Sequence, residues 1–403
     1  MKKILKVDSD ESEEGSLNRD VISHILTRVP AKPLLSMKCI SRGWNHIISS
    51  RSFIKDQLKN TNLVLNGFIV QDRYMFCKHD VKTISYIPVE PKNNAAKLVV
   101  HHNVFSFLPQ DVVVLASCKG IVCCRTCFPS PNPTIYLCNP SNKDFIQFNC
   151  PPQCDITDSI ALAFDFDFDF DPSKFKLVRV KRIQKYHDDY DVDESFYFTF
   201  EVYSSETKAW KKSNETCDCN YGLIKNKGLY IGGVLHWLTE GDQIITFNVE
   251  KELSLMISVP VPACEFRTVP QACIGEYEGR LHYVQVSEQG LHVWCLDSLE
   301  DYFDFKWVLK HCKLLEDFEA EYPRLFLNLR NRVLESDDTN PWMNPLGFKD
   351  GKLLIKVSAE LYIYDMKNHK IAHACSFLQL NPQSLSHPTV FPHSLTLVSL
   401  KDP

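Results

Sequence analysis

The sequence predicts a small α-helical module followed by an all-β propeller of about six blades. Three observations carry that prediction. Residues 17–48, LNRDVISHILTRVPAKPLLSMKCISRGWNHII, hold more apolar positions than a module of that size can bury. From about residue 60 onward the chain breaks into short apolar runs separated by turns, with almost no helical periodicity. Within those runs one unit, a glycine turn followed by two strands, recurs at near-constant spacing.

The helical module is expected to contain three helices. In the first, Leu17, Val21, Ile22, Ile25, Leu26 and Val29 cover about 180° of the circumference, more than the ~100° stripe that one-sided burial needs. Pro30 ends that helix, having no N–H to donate and a ring that clashes with the preceding turn. Pro33 is placed at the first position of the second helix, where a missing N–H costs nothing. Ser41 is the expected cap of the third, whose Trp44, Ile47 and Ile48 share a face at i, i+3, i+4. Units of this size fall below the ~40-residue limit for unaided folding, so the surplus apolar surface is expected to dock another protein.

These residues resemble an F-box, the motif that attaches a substrate receptor to the Skp-type adaptor of an SCF (Skp–cullin–F-box) ubiquitin ligase. The matching positions are Leu17, Asp20, Val21, Ile22, Ile25, Leu26, Arg28, Pro30, Lys32, Leu34, Leu35, Lys38, Cys39, Ser41, Arg42, Trp44 and Ile48. Asn18 stands where the family usually has proline, and Pro33 where it usually has a helix-capping serine. The resemblance implies a module over 15–55 that docks a Skp-type adaptor and, through it, a cullin scaffold. Leu17, Val21, Ile22, Ile25, Leu26, Pro30, Leu34, Leu35, Cys39 and Trp44 are the expected adaptor contacts.

Length and composition bound the remainder. At 403 residues two domains are expected, and 44% hydrophobic with 24% charged residues fits a globular chain. The net charge of −5 gives no electrostatic footprint for nucleic acid. No run approaches 18 apolar residues, so no membrane partner is expected. Residues 1–14 are read as a disordered acidic leader without the apolar centre of a secretory signal, which predicts a cytoplasmic or nuclear protein. The 16 cysteines then sit in a reducing compartment, mostly inside apparent strands, where a thiol acts as a small hydrophobe. A zinc site from Cys124, Cys127, Cys150 and Cys154 is the sharper alternative; Cys138 between the pairs and the lack of knuckle glycines argue against it, and no metal is expected.

The repeat occupies 60–400. Gly233 precedes Phe247 by 14 residues, Gly279 precedes Trp294 by 15, and Gly351 precedes Tyr364 by 13. A looser copy runs from Lys119-Gly120 to Asn139-Pro140. Gly233 and Gly279 lie 46 residues apart, a propeller-blade length, whereas the 72 residues from Gly279 to Gly351 fit one blade plus an insertion. A β-sandwich pair is the competing architecture. Tyr136–Pro140, Phe170–Val178, Glu201–Ser204 with Trp210, and Leu229 with Gly233–Leu238 are similar to the F-box-associated, kelch-like domain of plant F-box proteins. Ring closure would make Ser394–Leu400, with its alternating pattern, a paired strand.

Signals for chemistry are weak. Ala163–Asp171 alternates strictly and predicts a strand with Phe164, Phe166, Phe168 and Phe170 on one face and aspartates on the other. A calcium loop fails there, because Phe170 and Lys176 occupy the positions that need glycine and glutamate. His236 and His282 lie in apolar strands and are expected to be core residues. No nucleophile elbow, phosphate loop or H-E-x-x-H occurs, so neither a catalytic residue nor a cofactor is assigned.

A non-catalytic substrate receptor is the leading reading, acting by raising the local concentration of a target near the ubiquitin-charged enzyme. An F-box interaction protein outside any ligase, and a propeller lectin or enzyme, are the alternatives. Three acidic loops with aromatics are the expected target face. They hold Asp188, Asp189, Asp191, Asp193 and Glu194 around Tyr190; Asp297, Glu300, Asp301 and Asp304 around Tyr302 and Phe303; and Glu335, Asp337 and Asp338 before Trp342. Charge of this sign would steer a basic partner, with the aromatics as anchors.

Overall fold

The computed structural model describes residues 19–72, 84–90, 99–165, 174–185, 195–298, 305–336, 341–380 and 388–400. The chain divides into two compact units, residues 1–62 and 63–403.

Among its described residues the first unit contains four helices, one more than the apolar spacing predicts: α1 (Arg19–Leu26), α2 (Ala31–Met37), α3 (Arg42–Ser49) and α4 (Arg51–Asn60). Pro30 is the N-cap residue of α2, so Pro33 occupies the third helical position and not the first. Its missing N–H is still harmless there, because first-turn donors have no intrahelical acceptor. Ser41 caps α3 as expected, its Oγ accepting from Trp44 N at 3.2 Å. Ser50 caps α4 in the same way, accepting from Phe53 N at 3.4 Å. The core of the unit contains Leu26, Ala31, Leu34, Ile48, Phe53 and Ile54. α4 also closes the chain end of α1: Gln57 Nε2 donates to Val29 O (3.2 Å) and Asn60 Nδ2 to Thr27 Oγ1 (3.1 Å).

The second unit is a succession of antiparallel strands. After β1 (Leu65–Asp72) and β2 (Ile84–Pro88) come β3 (Val112–Cys118), β4 (Ile121–Thr126), β5 (Thr134–Asn139) and β6 (Asp144–Asn149). These are followed by β7 (Ser159–Ala163), β8 (Lys176–Lys185), β9 (Ser195–Ser204) and β10 (Ala209–Asp218), then β11 (Leu229–Ile231), β12 (Val234–Leu238), β13 (Gln243–Asn248) and β14 (Leu253–Ser258). Next are β15 (Gln271–Tyr277), β16 (Arg280–Ser287), β17 (Gly290–Ser298) and β18 (Phe305–Lys313), the helices α5 (Leu315–Glu321) and α6 (Leu329–Leu334), and β19 (Met343–Lys349), β20 (Lys352–Val357), β21 (Glu360–Asp365) and β22 (Lys370–Ser376). β23 (Pro388–Ser394) is last. Among the described residues no helix is long and apolar enough to cross a membrane.

Strands β3–β6, β7–β10 and β11–β14 each form a four-stranded meander. β15–β18 and β19–β22 form two more, joined into one eight-stranded sheet by a short parallel contact at Gly275–Phe348 and Glu276–Lys349. β23 pairs with β1, and β1 with β2, so the two ends of the unit share a sheet. The innermost strands touch in the order β23, β3, β7, β11, β15, β19 and again β23, which closes a ring.

The glycine-turn repeat lies where local chemistry demands it. Lys119-Gly120, Gly232-Gly233, Glu278-Gly279 and Asp350-Gly351 are two-residue hairpin loops in which both residues have positive φ. That is the type I′ pattern, whose twist matches the flanking strands and whose second residue is best filled by glycine. Phe247, Trp294 and Tyr364 sit on the third strand of their meanders and are buried. Hydrophobic cores lie between neighbouring meanders: Phe200 of β9 stacks on Phe247 of β13 at 4.5 Å, and Trp237 Nε1 of β12 donates to Ser159 Oγ of β7 at 2.9 Å. The insertion is the α5–α6 pair, which buries Leu315, Phe318, Phe326, Leu329 and Val333 against β16, β17 and β20.

Two strand assignments need correction. The closing strand is Pro388–Ser394; 395–400 follow it without pairing as a strand. Leu397 and Val398 are nevertheless buried side by side, and Asn139 Nδ2 donates to Thr396 O (3.1 Å) and Val398 O (2.7 Å) in place of a ladder. The strand expected at 163–171 is instead β7 at 159–163; Phe164 and Asp165 lie beyond it, and 166–173 fall outside the described residues. All five residues of β7 are buried, as an innermost strand covered on both faces requires.

Candidate functional site

On the helical unit, α1 presents Val21 (45% exposed) and Ile25 (53%), one turn apart on a single face. Ile40, in the turn between α2 and α3, is 67% exposed. Pro30 and Cys39 are also exposed, while Ile22, Leu35 and Trp44 are half-buried. Leu26 and Leu34 are core residues, at 5% and 0%, and hold the module together without offering a surface. Leu17 lies outside the described residues. The adaptor set predicted from sequence therefore divides into a surface group and an internal group. Ile40 is missing from that set because a turn residue carries no periodicity signal.

The predicted target loops are described only at their edges. Asp188, Asp189, Tyr190, Asp191, Asp193 and Glu194 lie outside the described residues, as do Glu300, Asp301, Tyr302, Phe303, Asp304, Asp337 and Asp338. The strand ends to which these loops attach are informative. The β8–β9 and α6–β19 links leave from the end of the sheets where inner strands begin, whereas the β17–β18 link leaves from the opposite end. The three loops thus do not share an attachment face. Trp342 is half-buried against the core beside α5 and α6, with the Arg332 guanidinium 4.5 Å from its ring centroid. Asp297 pairs with Arg280 at 3.2 Å.

The β8–β9 end of the sheets carries a cleft of about 460 Å³ between the second and third meanders. Asp155, Thr157, Lys181, Arg182, Phe198 and Glu240 are among the lining residues. Arg182 rests on the Phe196 ring at 3.8 Å and donates to Asn220 O. The cleft wall at 152–158 is fixed from below by Arg179, 2% exposed, which contacts Asp158 (2.7 Å) and Glu201 (3.0 Å) and donates to the carbonyls of Pro152 (2.9 Å) and Gln153 (2.7 Å). Charges of both signs line the opening, so it suits a polar peptide segment better than an apolar small molecule.

The remaining candidates for chemistry are packed or paired. His236 and His282 are buried, with Nδ1 near Leu229 O (3.3 Å) and Arg280 O (3.1 Å), and burial lowers both pKa values, that of His236 to about 4. Cys124 is buried in β4, and burial pushes its thiol up. Cys150 and Cys154 share a thiol hydrogen bond that raises the first and lowers the second. Among the described residues no group of three or more His, Cys, Asp or Glu is arranged to hold a metal.

Comparison with known proteins gives two family matches. A profile described as F-box domain matches residues 15–56, and one described as F-box protein At3g26010-like, beta-propeller matches 91–323, more than half of the chain. The F-box protein At5g49610 of Arabidopsis thaliana is 23% identical over 72% of this chain and 78% of its own length. The F-box/kelch-repeat protein At3g23880 of the same plant is 22% identical over 90% and 91%. Among solved structures, YCF48 from Cyanidioschyzon merolae aligns over 77% of this chain and 86% of its own at 8% identity and a TM-score of 0.35.

Proposed function

This chain belongs to the F-box proteins with an At3g26010-like beta-propeller, and from that premise we propose that it is a substrate-recognition subunit of an SCF ubiquitin ligase. Its F-box, placed at 15–55, docks a Skp-type adaptor and through it a cullin, and its propeller, placed at 60–400, recruits a target protein for ubiquitination. The chain contributes proximity and no bond chemistry of its own. The observation that carries the adaptor step is the exposure of the large apolar side chains Val21 and Ile25, on one face of α1, and of Ile40 in the α2–α3 turn. The cleft of about 460 Å³ and the loop residues Asp188, Asp189, Tyr190, Asp191 and Asp193 are the favoured target contacts, with Tyr302 and Trp342 as further candidates. A cytoplasmic or nuclear location belongs to the same proposal.

The closed inner ring supports a six-bladed count in which the eight-stranded sheet supplies two blades and the β2–β1–β23 sheet the closure. The glycine-turn repeat and the kelch-repeat name of one relative support the kelch-like description.

The adaptor step is tested by Val21→Asp combined with Ile25→Asp. Both positions are exposed, so the fold should change by no more than about 0.5 kcal/mol. Two buried, unpaired carboxylates at the interface should weaken adaptor binding by at least about 100-fold. Co-purification with a Skp-type adaptor at wild-type yield would show that this face is not the contact. Leu26→Ala is the wrong probe, because truncating that core side chain costs about 2–5 kcal/mol of module stability.

A further inference from the structure

We infer that the centre of the propeller ring holds a binding site for one small inorganic anion of chloride size, between Lys225 and Lys227. The site is a cavity of about 30 Å³ walled by the inner strands β15, β19 and β23 and by the segment leading into β11. Its lining is apolar, from Ala272, Ile274, Leu346 and Val390 among others, except for the two lysines and the Cys273 thiol, which burial keeps protonated. Lys225 Nζ donates to Pro388 O and Lys227 Nζ to Val390 O, each at 2.8 Å. Each ammonium carries three donors and uses one of them there. Among the described residues neither lysine is paired with a carboxylate.

Two half-buried ammoniums held side by side with no carboxylate beside them repel each other and lose part of their hydration. Burial and the neighbouring charge of Lys227 lower Lys225 to about 8, a shift that a bound anion would oppose. The backbone that carries Lys225 is also unusual. Lys225 and Asn226 are consecutive left-handed residues, φ 55° and 47°, a conformation that asparagine tolerates and lysine rarely adopts.

Spacing sets the size of the ligand. Pro388 and Val390 are two residues apart on one strand, so their carbonyls, and the ammoniums on them, are separated by roughly 7 Å. An ion midway would sit about 3.5 Å from each nitrogen, slightly longer than an N–H···O contact, as a large monatomic anion requires. One water-sized occupant needs about 10–15 Å³ on this measure, so the cavity of about 30 Å³ has room for a monatomic ion and a water, and is too small for phosphate esters. The bound ion would tie the segment before β11 to the closing strand β23, so it binds only the closed ring and stabilises it.

The experiment uses the full chain, melted in sodium chloride and in sodium gluconate at equal ionic strength. At chloride ten times its dissociation constant the propeller transition should rise by roughly 2–4 °C over gluconate. Lys225→Met and Lys227→Met should each abolish the difference, and inorganic phosphate should do no better than gluconate. Loss of a carbonyl contact could prevent either variant from folding, so bromide is the second probe. In crystals of the wild-type chain its anomalous peak should lie between the two Nζ atoms. Equal melting in the two salts, a chloride effect that survives both substitutions, a phosphate effect larger than that of chloride, or no bromide peak at the pair overturns the assignment.

Discussion

Arg179→Met should destabilise the propeller by about 3–5 kcal/mol, the usual result of removing one partner of a buried charge cluster. The guanidinium is 2% exposed and satisfies Asp158, itself 2% exposed at the side chain, together with Glu201 and two carbonyls. Methionine keeps much of the volume but leaves the Asp158 carboxylate without its cation, held only by the Asp155 N–H at 2.8 Å, and the Pro152 and Gln153 oxygens without the guanidinium donors. Urea unfolding should show a lower midpoint at unchanged slope. Glu201→Gln is the discriminating control. Its side chain is 29% exposed, so that contact is partly screened and should cost under about 1 kcal/mol. Similar losses for both variants would mean that Arg179 acts as a surface charge. Because 152–158 forms one wall of the cleft, target capture should weaken in Arg179→Met even at temperatures where the chain stays folded.

Acid should unfold the propeller well above the pH at which carboxylates alone would do so. Burial holds His236, His393 and His311 at about 4, with repulsion from His369 and Lys313 adding to the shift at His311. Between pH 6.5 and about 4 the unfolded chain binds protons at these histidines that the folded chain refuses, so stability falls as pH falls. Each contributes up to about 1.4 kcal/mol per pH unit inside that window. Glu276 acts in the same direction below it: burial would raise its pKa, but the Lys349 ammonium outweighs burial and holds it low. The stability from that pair is present above the ordinary glutamate value and lost as pH drops through the lowered one. A urea midpoint at pH 5.5 well below that at pH 7.5 is the expected result, and a flat profile across this range would contradict it. His236→Gln and His393→Gln should each flatten the profile.

The parts of this architecture legible in the sequence are those fixed by local chemistry. Pro30 and the apolar positions of α1 set the first helix and its end, Ser41 set the cap, and the paired positive-φ residues set four hairpins. Helix α4 escaped because its buried Phe53, Ile54 and Gln57 are embedded in the charged run Arg51–Asn60. The closing strand escaped for a related reason. Pro388–Ser394 contains two prolines and a histidine, which propensity disfavours, and only the N-terminal strand β1 supplies its partner. Ser394–Leu400 alternates like a strand, yet its neighbouring Leu397 and Val398 are buried together under Asn139 and Asn142. Arg179 and the lysine pair carry no distinguishing pattern in their own segments. The burial of Arg179 and the half-burial of the lysines depend on Asp158, Glu201, Pro388 and Val390, which only the ring brings to them.

The measurement closest to the central claim is calorimetric titration of the full chain with a purified Skp-type adaptor. A receptor that docks through Val21, Ile25 and Ile40 should bind one adaptor per chain, with a negative heat-capacity change from apolar burial. The Val21→Asp, Ile25→Asp variant, folded by the same melting criterion, should give no saturable heat. Absence of binding by the wild-type chain, or equal binding by the two, would contradict the account.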